Sequence, residues 1–507
     1  MNDLDRDDDT LIEDLSIPAA LTQKIPARIC THYKVIPLNE EDGCLIIAMP
    51  KYDAAILEEI ALFTDMPVKG IVAPSDLIET NIKKFYGIGA ENVEKLRSDD
   101  PFPPLTEVIG GEDDNSEASL SRLVEAVLCE ACRRRATDIH FEPFGNGLNV
   151  RFRIDGVLYD IDMPSDICRF ADNIAARIKI LAGLDTTEKR RPQDGRFAFH
   201  FDNEEIDARV SFLPSRYGES IALRLLPKGV VYELEDLGLE LPQRELLLNV
   251  LNEPNGIIFL TGPTGSGKST TLYSCLSHLN RRERKIITIE DPVEYEVAGV
   301  TQIQVLPDVG LTFASGLRSM LRHDPDVMMV GEVRDEETAR IAVQTALTGH
   351  LVLSTLHTND AISGIARLND MGIASYLIAA SVRCIISQRL IRMICPRCRS
   401  LSRLPSELEG MIRKETGKCG PLVVFRGAGC KYCDFTGYYG RQAIFEFLRI
   451  DEEIRDLITE GAPAAVMKRV ALGKGMKLLQ HAGWEKALQG MTTVEEIIRI
   501  NNGKDTQ

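Results

Sequence analysis

The residues best spaced for chemistry are Gly262-Pro263-Thr264-Gly265-Ser266-Gly267-Lys268-Ser269-Thr270. They fit G-x-x-x-x-G-K-[ST], a loop whose amides cradle phosphates. The flanks suit that reading. An apolar, β-prone run at 257–260 precedes the loop, and 271–280 can continue as a helix. Such a strand–loop–helix aims several N–H groups and a helix dipole at one anion. Lys268 is placed to reach the β- and γ-phosphates, and the Ser269 hydroxyl to ligate Mg²⁺. A Gly-rich turn of no consequence is the alternative. The pattern and both flanks together favour binding of a nucleoside triphosphate.

Three further clusters follow apolar runs. The run 286–289 ends in Glu290, Asp291 and Glu294. Three carboxylates near a triphosphate would repel it unless Mg²⁺ or arginine intervenes, so they are expected to position metal-bound or attacking water. Capping of a helix is their other reading. The run 327–330 ends in Gly331 and Glu332, where Glu332 can polarise a water in line with the γ-phosphate. Pairing with Arg334 is its alternative. His350 and His357 flank the run 351–356, with Thr355 and Asn359 beside them. That grouping fits a sensor of γ-phosphate occupancy, against the plainer reading of satisfied structural histidines.

Two C-x-x-C pairs, Cys395/Cys398 and Cys430/Cys433, offer four thiolates. That set suits a tetrahedral, structural Zn²⁺ with no open coordination position. A third pair, Cys129 and Cys132, lies in an amphipathic helical pattern with no matching pair, and reads as packing.

The elements that must carry these residues fall into segments. The 507 residues suffice for about three domains, and 44% hydrophobic with 27% charged content is ordinary for a globular chain. Residues 1–15 form an acidic tail too charged to pack. Residues 16–90 form a small α/β docking domain, with strands at 45–49 and 68–72, a helix at 54–63 and a second helix capped by Ser75. Residues 91–118 are an acidic linker, rich in Pro and Gly from Ser98 and without a basic residue from there on.

A second domain spans 119–232. Its first helix keeps Leu120, Leu123, Val124, Val127, Leu128 and Ala131 on one stripe. Alternating strands follow at 150–154, 206–210 and 221–225, with arginines on the outer faces. Such faces ask for an anionic partner, although solvated arginines explain about half of them. Residues 233–507 alternate apolar strands with helices, which predicts a parallel sheet covered on both faces with chemistry at its carboxyl edge.

No apolar run approaches 18 residues, and the acidic start lacks a secretory signal's basic region, which predicts a cytosolic chain that meets membranes through partners. A net charge of −17 argues against nucleic acid as a partner. A nucleic-acid motor and an ATP-binding scaffold without turnover are the competing readings. The first lacks an aromatic-basic stripe; the second is opposed by the presence of Lys268, Ser269, Glu290 and Glu332.

Taken together and in order, these motifs resemble the type II secretion and type IV pilus assembly ATPases. The resemblance runs through ATDIHFEP (136–143), RFRIDG (151–156), RPQDGR (191–196), the phosphate loop, the acidic box at 289–295, LRHDPD (321–326), VGEVRD (330–335), the histidine box, the four cysteines and GMTTVEE (490–496). It implies a RecA-like P-loop domain preceded by a PAS-like α+β domain, with a zinc-knuckle insertion at 395–440. It further implies a cytoplasmic homohexamer held at the inner membrane by partners. Those would be the bitopic platform protein (type II secretion protein L), met by the first domain, and the polytopic platform protein (type II secretion protein F). Arg209 and Arg224, with Arg196 the weaker candidate, match arginines that contact the phosphates. Arg318, Arg322, Arg334 and Arg367 match arginines linked to subunit contacts or hydrolysis. The knuckles and LLPK (225–228) lean toward type II secretion over pilus extension.

Overall fold

A computed structural model describes residues 17–96, 116–227, 232–417 and 420–501. The acidic tail and the greater part of the expected linker lie outside these residues. The chain divides into two compact units, residues 1–228 and 229–507.

The first unit opens with a three-stranded sheet, β1 (Ile36–Glu41), β2 (Cys44–Met49) and β3 (Val68–Val72), in that order across the sheet. β2 is apolar almost throughout because both its faces are covered, and Leu45, Ile47, Ala48 and Met49 are fully buried. The helix Ala54–Thr64 is capped by Asp53, whose carboxylate accepts from Ala55 N at 3.0 Å. The expected cap at Ser75 is not formed. Ser75 is the first residue of the helix Ser75–Tyr86, and Pro74 occupies the capping position without a side-chain hydrogen bond.

The expected linker start at 91 also differs. Residues Ala90–Lys95 are helical. Ile88 and Val93 are apolar enough to bury in the core of the second domain, and Glu94 accepts from Ala27 N at 2.8 Å and Arg28 N at 3.0 Å. At the far end of the linker, 116–118 already belong to the helix Ser116–Arg133.

That helix packs on a six-stranded antiparallel sheet. Its strands are β4 (Ala136–Phe144), β5 (Gly147–Ile154), β6 (Val157–Asp160), β7 (Gln193–Phe201), β8 (Glu204–Ser215) and β9 (Gly218–Pro227), ordered β6-β5-β4-β9-β8-β7. Alternation sends Phe152, Ala208, Val210 and Leu223 into the core and the intervening polar residues to the other face.

The second unit is built on β10 (Gly256–Thr261), β11 (Ile286–Glu290), β12 (Val300–Gln304), β13 (Val327–Val330), β14 (Leu351–Leu356), β15 (Val382–Ile394) and, after the separate antiparallel pair β16 (Arg399–Ser402) and β17 (Val424–Gly427), β18 (Tyr438–Arg449). The large sheet runs β12-β11-β13-β14-β10-β15-β18, parallel except for β18, which pairs antiparallel with β15. Two separate apolar clusters cover its faces, which is why β10 and β13 are buried at every position. A third cluster, around Trp484 and Ile497, joins the C-terminal helices to the cysteine-bearing segment.

Candidate nucleotide site and tetracysteine cluster

The phosphate loop joins β10 to the helix Lys268–Leu279. Two of its glycines are forced. Gly262 has φ +147°, and a Cβ there would lie 2.6 Å from the carbonyl oxygen of Gln388. Gly267, at the helix N-cap, has φ +85°, and a Cβ would lie 2.8 Å from Gln388 Nε2. β15 is therefore the floor of the loop. Gln388 is itself fixed, since Thr271 Oγ1 donates to its Oε1 at 2.8 Å.

Lys268 Nζ donates to Gly262 O at 2.7 Å and Pro263 O at 3.0 Å. Burial, with the Arg389 guanidinium adding to it, pulls this ammonium down to about 8, against the opposing pull of Glu332. Such a cation gains when an anion enters. Ser269 and Thr264 are exposed, and Pro263, Gly265 and Thr270 complete the loop surface. The hydroxyls of Thr261 and Ser266 are buried without a partner, as fits a cradle that completes its hydrogen bonds with phosphate oxygens or their water. Ser269, first turn of the helix, is the hydroxyl that can ligate Mg²⁺.

Glu332 follows β13. Its carboxylate pairs with Arg334 and lies 3.1 Å from His357 Nε2. Burial pushes its carboxyl up, but Arg334 and His357 outweigh that and hold it below the ordinary range. The alternative reading of Glu332, a pair with Arg334, thus coexists with an orientation by His357. β14 braces this corner, because Thr355 Oγ1 donates to Gly331 O at 2.8 Å and Val333 N to Thr355 O at 3.1 Å.

The paired-histidine sensor is corrected. His357 reaches Glu332, whereas His350 precedes β14 and contacts the Thr345 carbonyl through Nδ1 at 3.1 Å. A six-residue strand separates its ends by roughly 20 Å, so both histidines cannot read one phosphate.

Glu290 ends β11, beside β13. It is buried, and three neutral donors hold it: Tyr273 Oη on Oε2, with Thr288 Oγ1 at 2.6 Å and Gln302 Nε2 at 3.2 Å on Oε1. Asp291 is exposed, and Glu294 N donates to Tyr273 Oη at 3.2 Å.

Arg209 and Arg224 lie in the first unit. Cross-strand register places Arg196 opposite Arg209 and Arg209 opposite Arg224, one row on the polar face of the sheet. Arg224 Nε donates to Asp138 Oδ1 at 3.1 Å. In the second unit Arg318 pairs with Glu337, Arg322 Nη1 donates to Arg318 O at 3.0 Å, and Arg367 is exposed.

The four cysteines converge, with all sulfurs within 4.8 Å of one another. Cys395–Cys430 and Cys398–Cys433 are 3.8 Å apart, and Cys430–Cys433 3.7 Å. A tetrahedron of ~2.3 Å Zn–S bonds has edges of about 3.8 Å, whereas a disulfide needs about 2.05 Å. The set fits zinc. Backbone N–H groups of Cys430 and Gly437 each point to Cys433 Sγ at 3.3 Å, the outer support that thiolate ligands use. Cys132, by contrast, packs against the second-domain core, and burial lifts its thiol to about 11.

Several of these neighbours were not expected from sequence: Tyr273, Thr288 and Gln302 around Glu290, and Gln388 and Arg389 under the loop. The polar triplet Ser387-Gln388-Arg389 inside the apolar run of β15 was the one available signal, since a buried strand tolerates such residues only where something bonds them.

A family model described as type II/IV secretion system protein matches residues 113–499, and an MshEN domain model matches 10–92. The chain is 46% identical over 488 residues to the type II secretion system protein E of Klebsiella pneumoniae, covering 94% of this chain and 96% of that one. It is 43% identical to the protein of the same name from Dickeya dadantii (94% and 96% covered). It is 38% identical to the type IV pilus assembly ATPase PilB of Myxococcus xanthus (96% and 88%). Among solved structures, the Legionella pneumophila ATPase DotB is similar with a TM-score of 0.56 at 25% identity, over 75% of this chain and 95% of that one. The pilus retraction motor PilT with bound ADP gives 0.50 at 29%, over 75% and 96%. With a family model matched over residues 113–499 and relatives 43–46% identical over nearly the whole chain, the chain belongs to the type II/IV secretion system protein family, and it is an ATPase.

Proposed function

We propose that this ATPase is the motor of a type II secretion system, a homohexamer that hydrolyses Mg-ATP to drive pseudopilus assembly and protein export. The observation that carries the reading is the corner where Glu332, held anionic by Arg334 and His357, stands within electrostatic reach of Lys268. Support comes from the relatives named type II secretion system protein E, matched over nearly the whole chain.

Lys268 and the loop amides bind the phosphates, and Gly262 and Gly267 keep the backbone close enough to do so. Ser269 would hold Mg²⁺, which would supply charge neutralisation to the phosphates. Glu332 orients the attacking water and takes its proton, with His357 as the group that reports phosphate occupancy. Glu290 is the second carboxylate of the water site. Arg209 and Arg224 are the arginines proposed to meet the developing negative charge. Cys395, Cys398, Cys430 and Cys433 would hold a structural zinc.

Among the described residues no helix is long and apolar enough to cross a membrane. The proposed site of action is the cytoplasmic face of the inner membrane, reached through platform partners. Residues 16–90 would bind the bitopic one (type II secretion protein L), and the ring would face the polytopic one (type II secretion protein F). The likeness to PilB supports a second reading, extension of a type IV pilus. Replacing the chromosomal gene with a Lys268→Ala copy separates the two. Loss of exported enzymes from the medium with pili intact is expected. Loss of pili with export intact would transfer the protein to pilus assembly.

A further inference from the structure

An ionised carboxylate has about four acceptor sites, two on each oxygen. At Glu290 three are already filled. Thr288 Oγ1 and Gln302 Nε2 both donate to Oε1, and Tyr273 Oη donates to Oε2. One acceptor site on Oε2 is left. The residue is 4% exposed, and its carboxylate cannot swing to solvent without breaking all three bonds.

The Tyr273 hydroxyl is as tightly specified as the carboxylate it meets. The residue is buried, 1% exposed, and its ring stacks on Tyr295 with centroids 4.1 Å apart. Having donated its one proton to Glu290, the oxygen accepts from Glu294 N at 3.2 Å. Gln302 is anchored too, since its Nε2 also donates to Tyr295 O at 3.1 Å and its Oε1 accepts from Val297 N at 2.7 Å. Tyr273 sits in the second turn of the helix that begins at Lys268. It therefore ties the element that starts at the phosphate loop to the acidic box at the end of β11.

We propose that Tyr273 is a positioning residue for hydrolysis: by occupying one site on Glu290 Oε2 it aims the carboxylate's single remaining acceptor site at the attacking water. The proposal rests on Glu290 being a water-site carboxylate, as argued above. A carboxylate with several open sites accepts from water in several directions. One with a single open site accepts in one, and orientation of that kind is a large part of what a base or water-orienting group contributes. Neutral donors suit this role because they fix direction without neutralising the charge that the water must feel.

The test uses the full-length protein and steady-state ATP hydrolysis with Tyr273→Phe, Glu290→Gln and the double variant. Phenylalanine keeps the ring stacked on Tyr295 and removes only the hydroxyl. Turnover of Tyr273→Phe is expected to fall about tenfold, the scale of one hydrogen bond to a charged group, with KM for ATP within about twofold. Glu290→Gln should fall by about 10²-fold, and the double variant should be no slower than Glu290→Gln alone. Thr288→Val provides a second arm, freeing a site on Oε1, and should also lower kcat with KM held.

Unchanged or faster turnover in Tyr273→Phe, or a loss that multiplies in full with that of Glu290→Gln, would overturn the proposal while leaving Glu290 in its role. Wild-type turnover in Glu290→Gln would instead remove the reading beneath it. Should Tyr273→Phe not fold, an unchanged kcat in Thr288→Val overturns the proposal on its own.

Discussion

Arg392 and Glu496, 104 positions apart, close the C-terminal helix onto the strand that floors the phosphate loop. Arg392 donates to the Glu496 carboxylate through its backbone N at 3.0 Å, Nε at 2.9 Å and Nη2 at 2.8 Å. The carboxylate is fully buried and also takes Arg499 Nη2 at 2.8 Å. Around it, the Arg392 guanidinium lies 3.9 Å from the Tyr438 ring centroid, and Thr492 Oγ1 donates to Arg392 O at 2.7 Å. β15 thus carries the loop floor at Gln388, this clamp at Arg392, and the first cysteine just beyond its end. Removing one partner of a buried pair strands the other, so Glu496→Ala should cost about 3–5 kcal/mol in urea unfolding of the second unit. A loss below about 0.5 kcal/mol would show that Arg392 and Arg499 are not left as unpaired buried charges.

Glu332→Gln keeps the shape of the corner and removes the charge. Nucleotide binding should survive, since Lys268 and the loop amides are untouched, while turnover drops by at least about 10²-fold. Equal turnover in the variant would reassign the water-side role away from Glu332.

Gly267→Ala tests the fit between loop and floor. Alanine at φ +85° costs roughly 1–2 kcal/mol. Its methyl would also press on Gln388 Nε2, which cannot retreat without breaking the Thr271 hydrogen bond. ADP affinity measured by calorimetry should fall more than about tenfold, the equivalent of 1.4 kcal/mol. Unaltered affinity would mean that the loop reaches its phosphate-binding shape without the glycine.

Elemental analysis of the purified chain should give about one zinc per chain. Cys395→Ser combined with Cys430→Ser should abolish it and destabilise the segment packed on Trp484, while a metal-free unsubstituted protein would remove the zinc assignment.

Glu130 sets an acid limit on the first unit. It is buried and meets Lys83 Nζ at 2.6 Å, Arg133 Nη1 at 2.7 Å and Arg134 Nε at 2.9 Å. Burial alone would push its carboxyl up, but Lys83 and Arg134 hold it down to about 2. The unfolded chain, with an ordinary value of about 4.3, takes up the proton first as pH falls. The contribution of this cluster, about 3 kcal/mol at full strength, is therefore intact above about pH 5 and is lost progressively toward pH 2. Thermal unfolding should show Glu130→Gln losing the most relative to the parent near pH 7 and converging with it near pH 2. A gap independent of pH would exclude the mechanism.

The sequence by itself determined the phosphate loop, because G-x-x-x-x-G-K-S is a backbone shape written in residue types. It determined the thiolate set, because four soft ligands in two C-x-x-C pairs have few other uses. The parallel strands were legible too, since burial on both faces leaves an uninterrupted apolar run. Only the tertiary structure decided which polar residues meet. Strand ends far apart in sequence converge through sheet order, so Tyr273 reaches Glu290, Gln388 lies under Gly267, and His357 rather than His350 finds Glu332. It also decided that residues 90–95 pack as a helix instead of beginning a linker, since a short segment's fate depends on whether a neighbouring core will accept Ile88 and Val93. Periodicity reports which face of an element is buried; it carries no information about what lies across from it.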